Sequence, residues 1–109
     1  MKLKKMPYAQ ATVTTYQSQD KGGKRYTARQ LTSYTTAVVI VKEYDDCNII
    51  TCTGLYSATT RKHISAFMWE YYPDYGYYFI RDYCVGRTVK IDSLGNVTDN
   101  ETGEFLGVI

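Results

Sequence analysis

Long apolar runs are absent from this chain, and the longest uninterrupted apolar stretch covers only residues 37–41. This stretch is far too short to cross a bilayer as a helix, so we expect no contact with a membrane. The lysines near the N-terminus are not followed by an apolar segment, so we also expect no signal peptide. Together these absences predict a cytoplasmic protein.

Histidine and cysteine are scarce as well, with one histidine and three cysteines. An odd number of cysteines is a poor framework for disulfides, and the spacing of Cys47 and Cys52 is not that of a zinc knuckle. With Cys84 and His63 the chain barely reaches the four nitrogen and sulfur ligands of a zinc site, so we predict no metal and no cofactor. We interpret the cysteines as small buried hydrophobic residues.

The residues that nucleophilic catalysis needs do not occur together in the sequence. His63 falls in the first turn of a predicted helix, where the helix dipole favours the neutral imidazole that could act as a base. No cysteine lies near it in the sequence, and both a glycine-framed nucleophile elbow and a phosphate-binding loop are missing. We therefore predict that the chain is not an enzyme.

Positive charge is concentrated in the first part of the chain, although the net charge is only +2. Residues 1–43 hold eight lysines and arginines against two carboxylates, whereas residues 44–109 hold five against nine. The balances are +6 and −4. A basic first half could contact nucleic acid phosphates, an acidic protein surface or only solvent. The candidate nucleic-acid-binding residues are Lys21, Lys24, Arg25 and Arg29.

Segments rich in β-branched and aromatic residues alternate with turn residues along the chain, which predicts strands joined by hairpins. The predicted strands are residues 11–17, 25–30, 35–44, 48–55, 77–85, 87–92, 97–98 and 105–109. The continuous apolar run in residues 35–44 indicates burial on both faces, so this strand should be central. We expect a mostly antiparallel sheet of about five or six strands.

One helix is predicted at about residues 60–72, with Thr59 or Thr60 as its N-cap and Pro73 ending it. Its apolar residues recur at the i, i+3, i+4 and i+7 positions of one helical face. These residues are Ile64, Phe67, Met68 and Tyr71. The sequence therefore predicts a single α+β domain, residues 1–109, with the helix packed on one sheet face and residues 1–10 as a loose basic lead-in.

The residues on the outer side of this helix are not those that would best stabilise it. Arg61 and Lys62 stand at the N-terminal end and Glu70 near the C-terminal end, and each opposes the helix dipole. Such local conflicts are more common at functional surfaces. Trp69, the only tryptophan, falls opposite the apolar stripe and beside Lys62. Either a protein partner, the N-terminal segment or a second copy of the chain could cover it.

Tyrosine is unusually frequent, with 12 of 109 residues, and five of these lie between residues 71 and 78. Tyrosine offers a large rigid contact area with a polar tip, which suits binding surfaces, although strands also use it as a half-buried residue. Tryptophan flanked by tyrosines and a cation has the composition of an interface hot spot. The candidate partner-binding residues are Lys62, Trp69, Tyr72, Tyr75 and Tyr77.

Two segments, residues 33–39 and 56–64, share a pattern with short domains of phages and bacterial mobile elements. The pattern is a Ser33-Tyr34 strand start followed by Tyr56-Ser57-x-Thr59-Thr60-x-Lys62-His63 leading into a helix. Over residues 31–72 the chain resembles this family of uncharacterised domains. The family has no established catalytic residues, and the resemblance implies a bacterial host cell as the setting.

Short domains of mobile elements often inhibit host machinery by binding it stoichiometrically, and anti-CRISPR proteins are the best-known group. The chain is similar to them in size. The resemblance thus implies a non-enzymatic binding protein, with a type II CRISPR effector nuclease as the host partner. The alternative is a small accessory protein that binds nucleic acid through the basic N-terminal half. A homodimer that covers Trp69 is compatible with both.

Overall fold

The computed structural model describes residues 10–109 in full and residues 2–5 by their backbone. These residues form one antiparallel sheet of eight strands, in which each strand pairs with the next along the chain. The sheet is therefore a meander whose two edges are the first and the last strand. The strands are β1 (Lys2–Lys5), β2 (Ala11–Gln19), β3 (Arg25–Ser33), β4 (Thr36–Glu43), β5 (Cys47–Cys52), β6 (Arg87–Asp92), β7 (Asn96–Asp99) and β8 (Phe105–Val108).

The predicted α+β class and antiparallel sheet are confirmed, but the sheet has more strands than the expected five or six. The short hairpin strands β7 and β8 both join it. Part of the lead-in that we expected to be loose is also a strand, because β1 pairs with β2 from Lys2 opposite Thr15 to Lys5 opposite Thr12. Lysine-rich strands are typical of exposed sheet edges. Met1 and residues 6–9 lie outside the described residues.

Two helical segments lie between β5 and β6. Helix α1 spans Ala58–Tyr71, close to the predicted bounds, and ends two residues before Pro73. Its N-cap is Ser57, whose Oγ accepts a hydrogen bond from the Thr60 backbone N–H at 3.2 Å. The expected threonine caps are therefore wrong by two or three positions. No helix in the part of the chain that the structure describes is long and apolar enough to span a membrane.

The second helical segment was predicted wrongly as a strand at residues 77–85. Helix α2 spans Gly76–Phe79 and continues as a π-helical turn, Ile80–Cys84. Tyr75, Phe79 and Tyr83 recur at a spacing of i+4, and the centres of successive rings lie 5.2 Å apart. A strand would have turned Phe79 and Ile80 to opposite faces, whereas the helix buries both. Tertiary packing thus overrides the β propensity of this aromatic segment.

The core lies between the helices and one face of the sheet, which we call the covered face. Residues paired across antiparallel strands share a face, and Val41, Ile50 and Val89 form one fully buried row across β4, β5 and β6. Phe67 and Met68 of α1 are fully buried as well. The predicted central position of β4 and the predicted apolar stripe of α1 are both confirmed. We call the opposite face of the sheet the open face.

Candidate functional site

The only tryptophan of the chain, Trp69, extends into solvent from the outer side of α1. The side chain of Trp69 is 79% exposed, and Lys62 and Ser65 on the same side of the helix are exposed too. These residues lie at i, i+3 and i+7, which places them on one helical face. The structure therefore leaves Trp69 uncovered by every described residue of this chain, as its position opposite the apolar stripe predicted.

Tyr72, a predicted partner-binding residue, does not belong to this surface. It is only 8% exposed, and its hydroxyl donates to Glu43 Oε2 at 2.7 Å and accepts from Arg29 Nη1 at 3.1 Å. Burial, followed by the hydrogen bond to the Glu43 carboxylate, raises the pKa of Tyr72 well above its ordinary value. Tyr72 therefore ties the end of α1 to β3 and β4.

Arg29, a predicted nucleic-acid-binding residue, is withdrawn from the surface by the same cluster. Its Nη1 lies 3.1 Å from Glu43 Oε2, and the pair is partly shielded from solvent. The guanidinium also stands over the ring of Tyr71 at 4.6 Å, and 5.6 Å from the ring of Tyr72. Arg29 points toward the covered face because its cross-strand partner is Val41. Its charge is thus used inside the fold.

Lys24 is engaged as well, at the tip of the β2–β3 hairpin. Its Nζ lies 3.0 Å from Asp46 Oδ1 and 5.3 Å from the centre of the Tyr44 ring. The hydrogen bond to Asp46 raises the pKa of Lys24. Of the four residues predicted to bind nucleic acid, only Lys21 and Arg25 are exposed without a role in these clusters. The structure does not bring the four together as a basic patch.

The tyrosines after Pro73 divide between core and surface. Tyr75 is half-buried: its hydroxyl accepts from Asn48 Nδ2 at 2.8 Å, and its ring stacks on Tyr72 at 6.3 Å. Tyr77 is also half-buried and packs edge-on against Tyr78. Tyr78, which the sequence prediction left out, is 67% exposed, and the Arg81 guanidinium lies 4.6 Å from its ring. An i, i+3 spacing in a helix would have indicated that pair.

The two segments of the family pattern meet at the N-terminal end of α1. Ser33 Oγ lies 2.7 Å from His63 Nδ1 and 3.2 Å from Thr60 Oγ1, and Thr60 Oγ1 lies 3.2 Å from Ser57 Oγ. Ser33, Thr60 and His63 are all buried. The pattern therefore encodes a polar network that fastens the end of β3 to the first turn of α1, which supports a structural role for its serine, threonine and histidine.

The two tyrosines of the same pattern adopt left-handed backbone conformations. Tyr34 has φ 57° and Tyr56 has φ 50°, and both side chains are more than half exposed. Bulky residues rarely adopt positive φ, because the Cβ approaches the carbonyl oxygen. The Tyr56 hydroxyl donates to Thr53 Oγ1 at 2.9 Å, and the Tyr34 ring lies 5.9 Å from the ring of His63. Two large aromatic groups therefore reach solvent at this end of the sheet.

The cysteines lie apart from any catalytic partner among the described residues. Cys52 and Cys84 are buried, and burial raises the pKa of both thiols. A raised pKa disfavours the reactive thiolate. No group of three or more histidine, cysteine and carboxylate side chains in residues 10–109 is arranged to hold a metal ion. The placements of Cys52 and Cys84 agree with small buried hydrophobic residues, whereas Cys47 is only half-buried.

The fold and its surfaces define a small α+β domain: a meander sheet with a helical layer on one face and exposed aromatic residues on that layer. The chain belongs to a family of unknown function (DUF8033), which matches residues 1–78. That match covers β1 to β5, α1 and the start of α2, and so includes the polar network and Trp69. No curated protein matches the chain, and no solved structure does.

Proposed function

We propose that the chain is a non-enzymatic binding protein that contacts a host protein through its helical layer. The observation that carries this proposal is Trp69, whose side chain is 79% exposed on a helix that buries Phe67 and Met68 on its other side. Exposing so large an apolar group to water is unfavourable, and tryptophan beside a cation such as Lys62 is typical of interface hot spots. Tyr78 of α2 and Arg81 of the π-helical turn that follows form a second pair of an aromatic ring and a cation.

The absence of catalysis is part of the proposal and is supported by the position of the reactive groups. His63 is fully buried and held by Ser33, and the most perturbed thiol, Cys84, is buried with a raised pKa. A nucleophile and its base must both reach a substrate within hydrogen-bonding distance. Buried groups committed to the core do not meet that requirement.

We further propose that the chain comes from a phage or mobile element and acts in the cytoplasm of a bacterial host. Its partner in this proposal is a type II CRISPR effector nuclease, which it inhibits by binding. The support is the family pattern at Ser33-Tyr34 and at residues 56–63, together with the small size of the domain. The exposed aromatic residues of the helical layer supply a contact surface that such an inhibitor needs.

A pull-down from bacterial lysates tests the partner. The tagged chain is incubated with lysate of a strain that expresses a type II effector and with lysate of a matched strain without it. We expect the effector to co-purify from the first lysate and Trp69→Ala to remove it. Leu94→Ala is the matched control, because Leu94 is equally exposed at 79% but lies in the β6–β7 turn.

Light scattering of the purified chain tests the competing occupant of Trp69, a second copy of this chain. The proposal expects the mass of one chain at low micromolar concentration. A dimer that dissociates in Trp69→Ala but not in Leu94→Ala would mean that the tryptophan serves self-association, and the assignment to a host protein would then fail.

A further inference from the structure

The open face of the sheet carries its own pattern of aromatic and basic side chains. Cross-strand pairing places seven residues in one row across β2 to β8: Tyr16, Ala28, Lys42, Ile49, Lys90, Thr98 and Phe105. Neighbouring strands are about 4.8 Å apart, so Lys42 and Lys90, two strands apart, are separated by about 10 Å along this row. Both described helices pack on the covered face, so this row faces away from them.

Aromatic rings lie beside Lys42. Tyr26 stands two residues before Ala28 on the same side of β3, and Lys42 Nζ lies 5.1 Å from the centre of its ring. The Tyr26 ring in turn lies 5.3 Å from the ring of Tyr44. Phe105 closes the row on β8 and is 59% exposed. The open face thus has a half-buried tyrosine pair beside Lys42 and an exposed phenylalanine on β8, while Ala28 in the same row is fully buried.

Carboxylates are nearly missing from the strands. The eight strands hold eight basic residues: Lys2, Lys4, Lys5, Arg25, Arg29, Lys42, Arg87 and Lys90. They hold only three carboxylates, and each is used elsewhere. Glu43 bonds to Tyr72, Asp92 accepts from backbone N–H groups of the β6–β7 turn, and Asp99 does the same in the β7–β8 turn. Strand alternation puts Arg25, Arg29 and Arg87 on the covered side. The described charged residues of the strands on the open face are therefore Lys42, Lys90 and Asp92, an excess of one positive charge.

We propose that the open face binds single-stranded nucleic acid. Unpaired bases stack on aromatic rings, and nearby lysines neutralise the backbone phosphates. On this face Phe105 is exposed, and Tyr16 and Tyr26 are half-buried. Tyr16, Tyr26 and Phe105 provide the stacking surfaces, and Lys42 and Lys90 provide the cations. This chemistry fits a single strand better than a duplex, because the bases of a duplex are already stacked on each other. This surface uses other lysines than the hairpin patch expected from the sequence, although the Nζ of Lys24, part of that patch, lies 5.3 Å from the centre of the Tyr44 ring.

The test is fluorescence anisotropy with a dye-labelled DNA single strand of about 16 nucleotides, near the upper end of the site size of sheet-based binders. We expect measurable binding at about 50 mM salt, with the affinity falling linearly on a log–log plot as salt is added. Lys42→Gln with Lys90→Gln should reduce that slope by about 1.4, since each phosphate contact on a single strand contributes about 0.7. Phe105→Ala should weaken binding roughly tenfold.

The matched control is Lys62→Gln, which removes one charge from the helical layer and should leave the slope unchanged. Because Lys90 is exposed, Lys90→Gln alone provides a second variant if the double change disturbs folding, and it should reduce the slope by about 0.7. Undetectable binding at about 50 mM salt, equal binding of the duplex form, or equal effects of Lys62→Gln and Lys90→Gln would overturn the proposal. Trp69→Ala should not change oligonucleotide binding. A failure of the nucleic-acid proposal would therefore not count against the proposed protein partner, which the pull-down tests separately.

Discussion

The outer side of α1 presents one large aromatic group, Trp69, on the same side as Lys62. On the open face, by contrast, Lys42 and Lys90 stand in a cross-strand row with Ile49 between them. The first surface concentrates its apolar area in one residue, as protein interfaces do. The second spreads smaller contacts over several strands and carries two lysines against one carboxylate, Asp92, an excess of positive charge that suits a negatively charged polymer. The two sides of the domain are therefore suited to different kinds of partner.

Basic residues are concentrated in the strands and carboxylates in the turns and helices. The difference in net charge between the two halves of the sequence is a consequence of this distribution. The strands hold eight basic residues against three carboxylates, so the turns and helices hold the remaining five against eight. The first half is basic because it contains four strands and few turns. Charge counted along the chain thus pointed to the β2–β3 hairpin, whereas the register of the strands brings Lys42 and Lys90 to the open face.

The largest expected effect separates the two faces of α1. Phe67→Ala should lower the free energy of unfolding by about 3–5 kcal/mol, because it leaves a cavity in the core under the helix. Trp69→Ala, two positions away, should change it by less than about 0.5 kcal/mol, because its side chain contacts mainly water. Urea unfolding of both variants measures the contrast. A loss above about 2 kcal/mol in Trp69→Ala would show that the tryptophan serves the fold.

The polar network beneath the helical layer should give the next largest effect. Ser33→Ala removes the partner of His63 Nδ1 and Thr60 Oγ1 inside the core, which should cost about 1–3 kcal/mol of unfolding free energy. Ser65→Ala on the exposed side of α1 is the matched control and should have almost no effect. Equal stabilities of the two variants would mean that the family pattern does not fasten β3 to α1.

Alkaline pH should weaken the link between α1 and the sheet through Tyr72. Its pKa is raised in the folded state, so the native state holds the phenolic proton more tightly than the unfolded chain. The resulting stability is present below pH 10 and is lost as the pH rises from there toward the folded pKa, at up to about 1.4 kcal/mol per pH unit.

Tyr72→Phe should flatten this fall relative to the wild-type chain. Tyr44, whose pKa is raised to about 12 by partial burial and by its hydrogen bond to Asp20, remains in both proteins and sets the background. Thermal unfolding at pH values from about 9 to 11 measures the difference. Identical pH dependence in the two proteins would contradict the assigned Tyr72–Glu43 contact.

The smallest expected effect is a gain in stability from a substitution at Tyr34. Glycine adopts positive φ without strain, so Tyr34→Gly should raise the free energy of unfolding by up to about 1 kcal/mol or leave it unchanged. Ala28→Gly, in the middle of β3, is a control in ordinary strand conformation and should destabilise. A clear destabilisation by Tyr34→Gly would mean that its ring contributes more to the fold than its backbone strain costs.

Much of the fold was predictable because local rules and packing agree there. The apolar run of β4, the Gly22-Gly23 turn and the helical stripe ended by Pro73 all lie where the sequence placed them. The helical structure of the aromatic segment after Pro73 was not predictable in this way, because tyrosine, phenylalanine and isoleucine favour strands. The i+4 repeat of Tyr75, Phe79 and Tyr83 was the available helical signal. Pairing of β1 depends on contacts far along the chain, which composition does not report.

The candidate site was predictable in part for a similar reason. Helical periodicity places Trp69 and Lys62 on the outer face, so their exposure follows from sequence. Tyr72 and Arg29 depend on a cluster with Glu43 that joins residues 14 to 43 positions apart, and no local pattern reveals it. Lysines of the open face are likewise brought together only by the register of β4, β5 and β6.

The most direct test of the proposed function is the affinity of a purified type II effector nuclease for three proteins: the wild-type chain, Trp69→Ala and Leu94→Ala. Calorimetric titration measures all three. We expect saturable binding by the wild-type chain and by Leu94→Ala, and a loss of about 30-fold or more in Trp69→Ala, because truncation of a hot-spot residue costs about 2 kcal/mol or more. Equal affinity of the two variants, or no binding by the folded wild-type chain, would contradict the account.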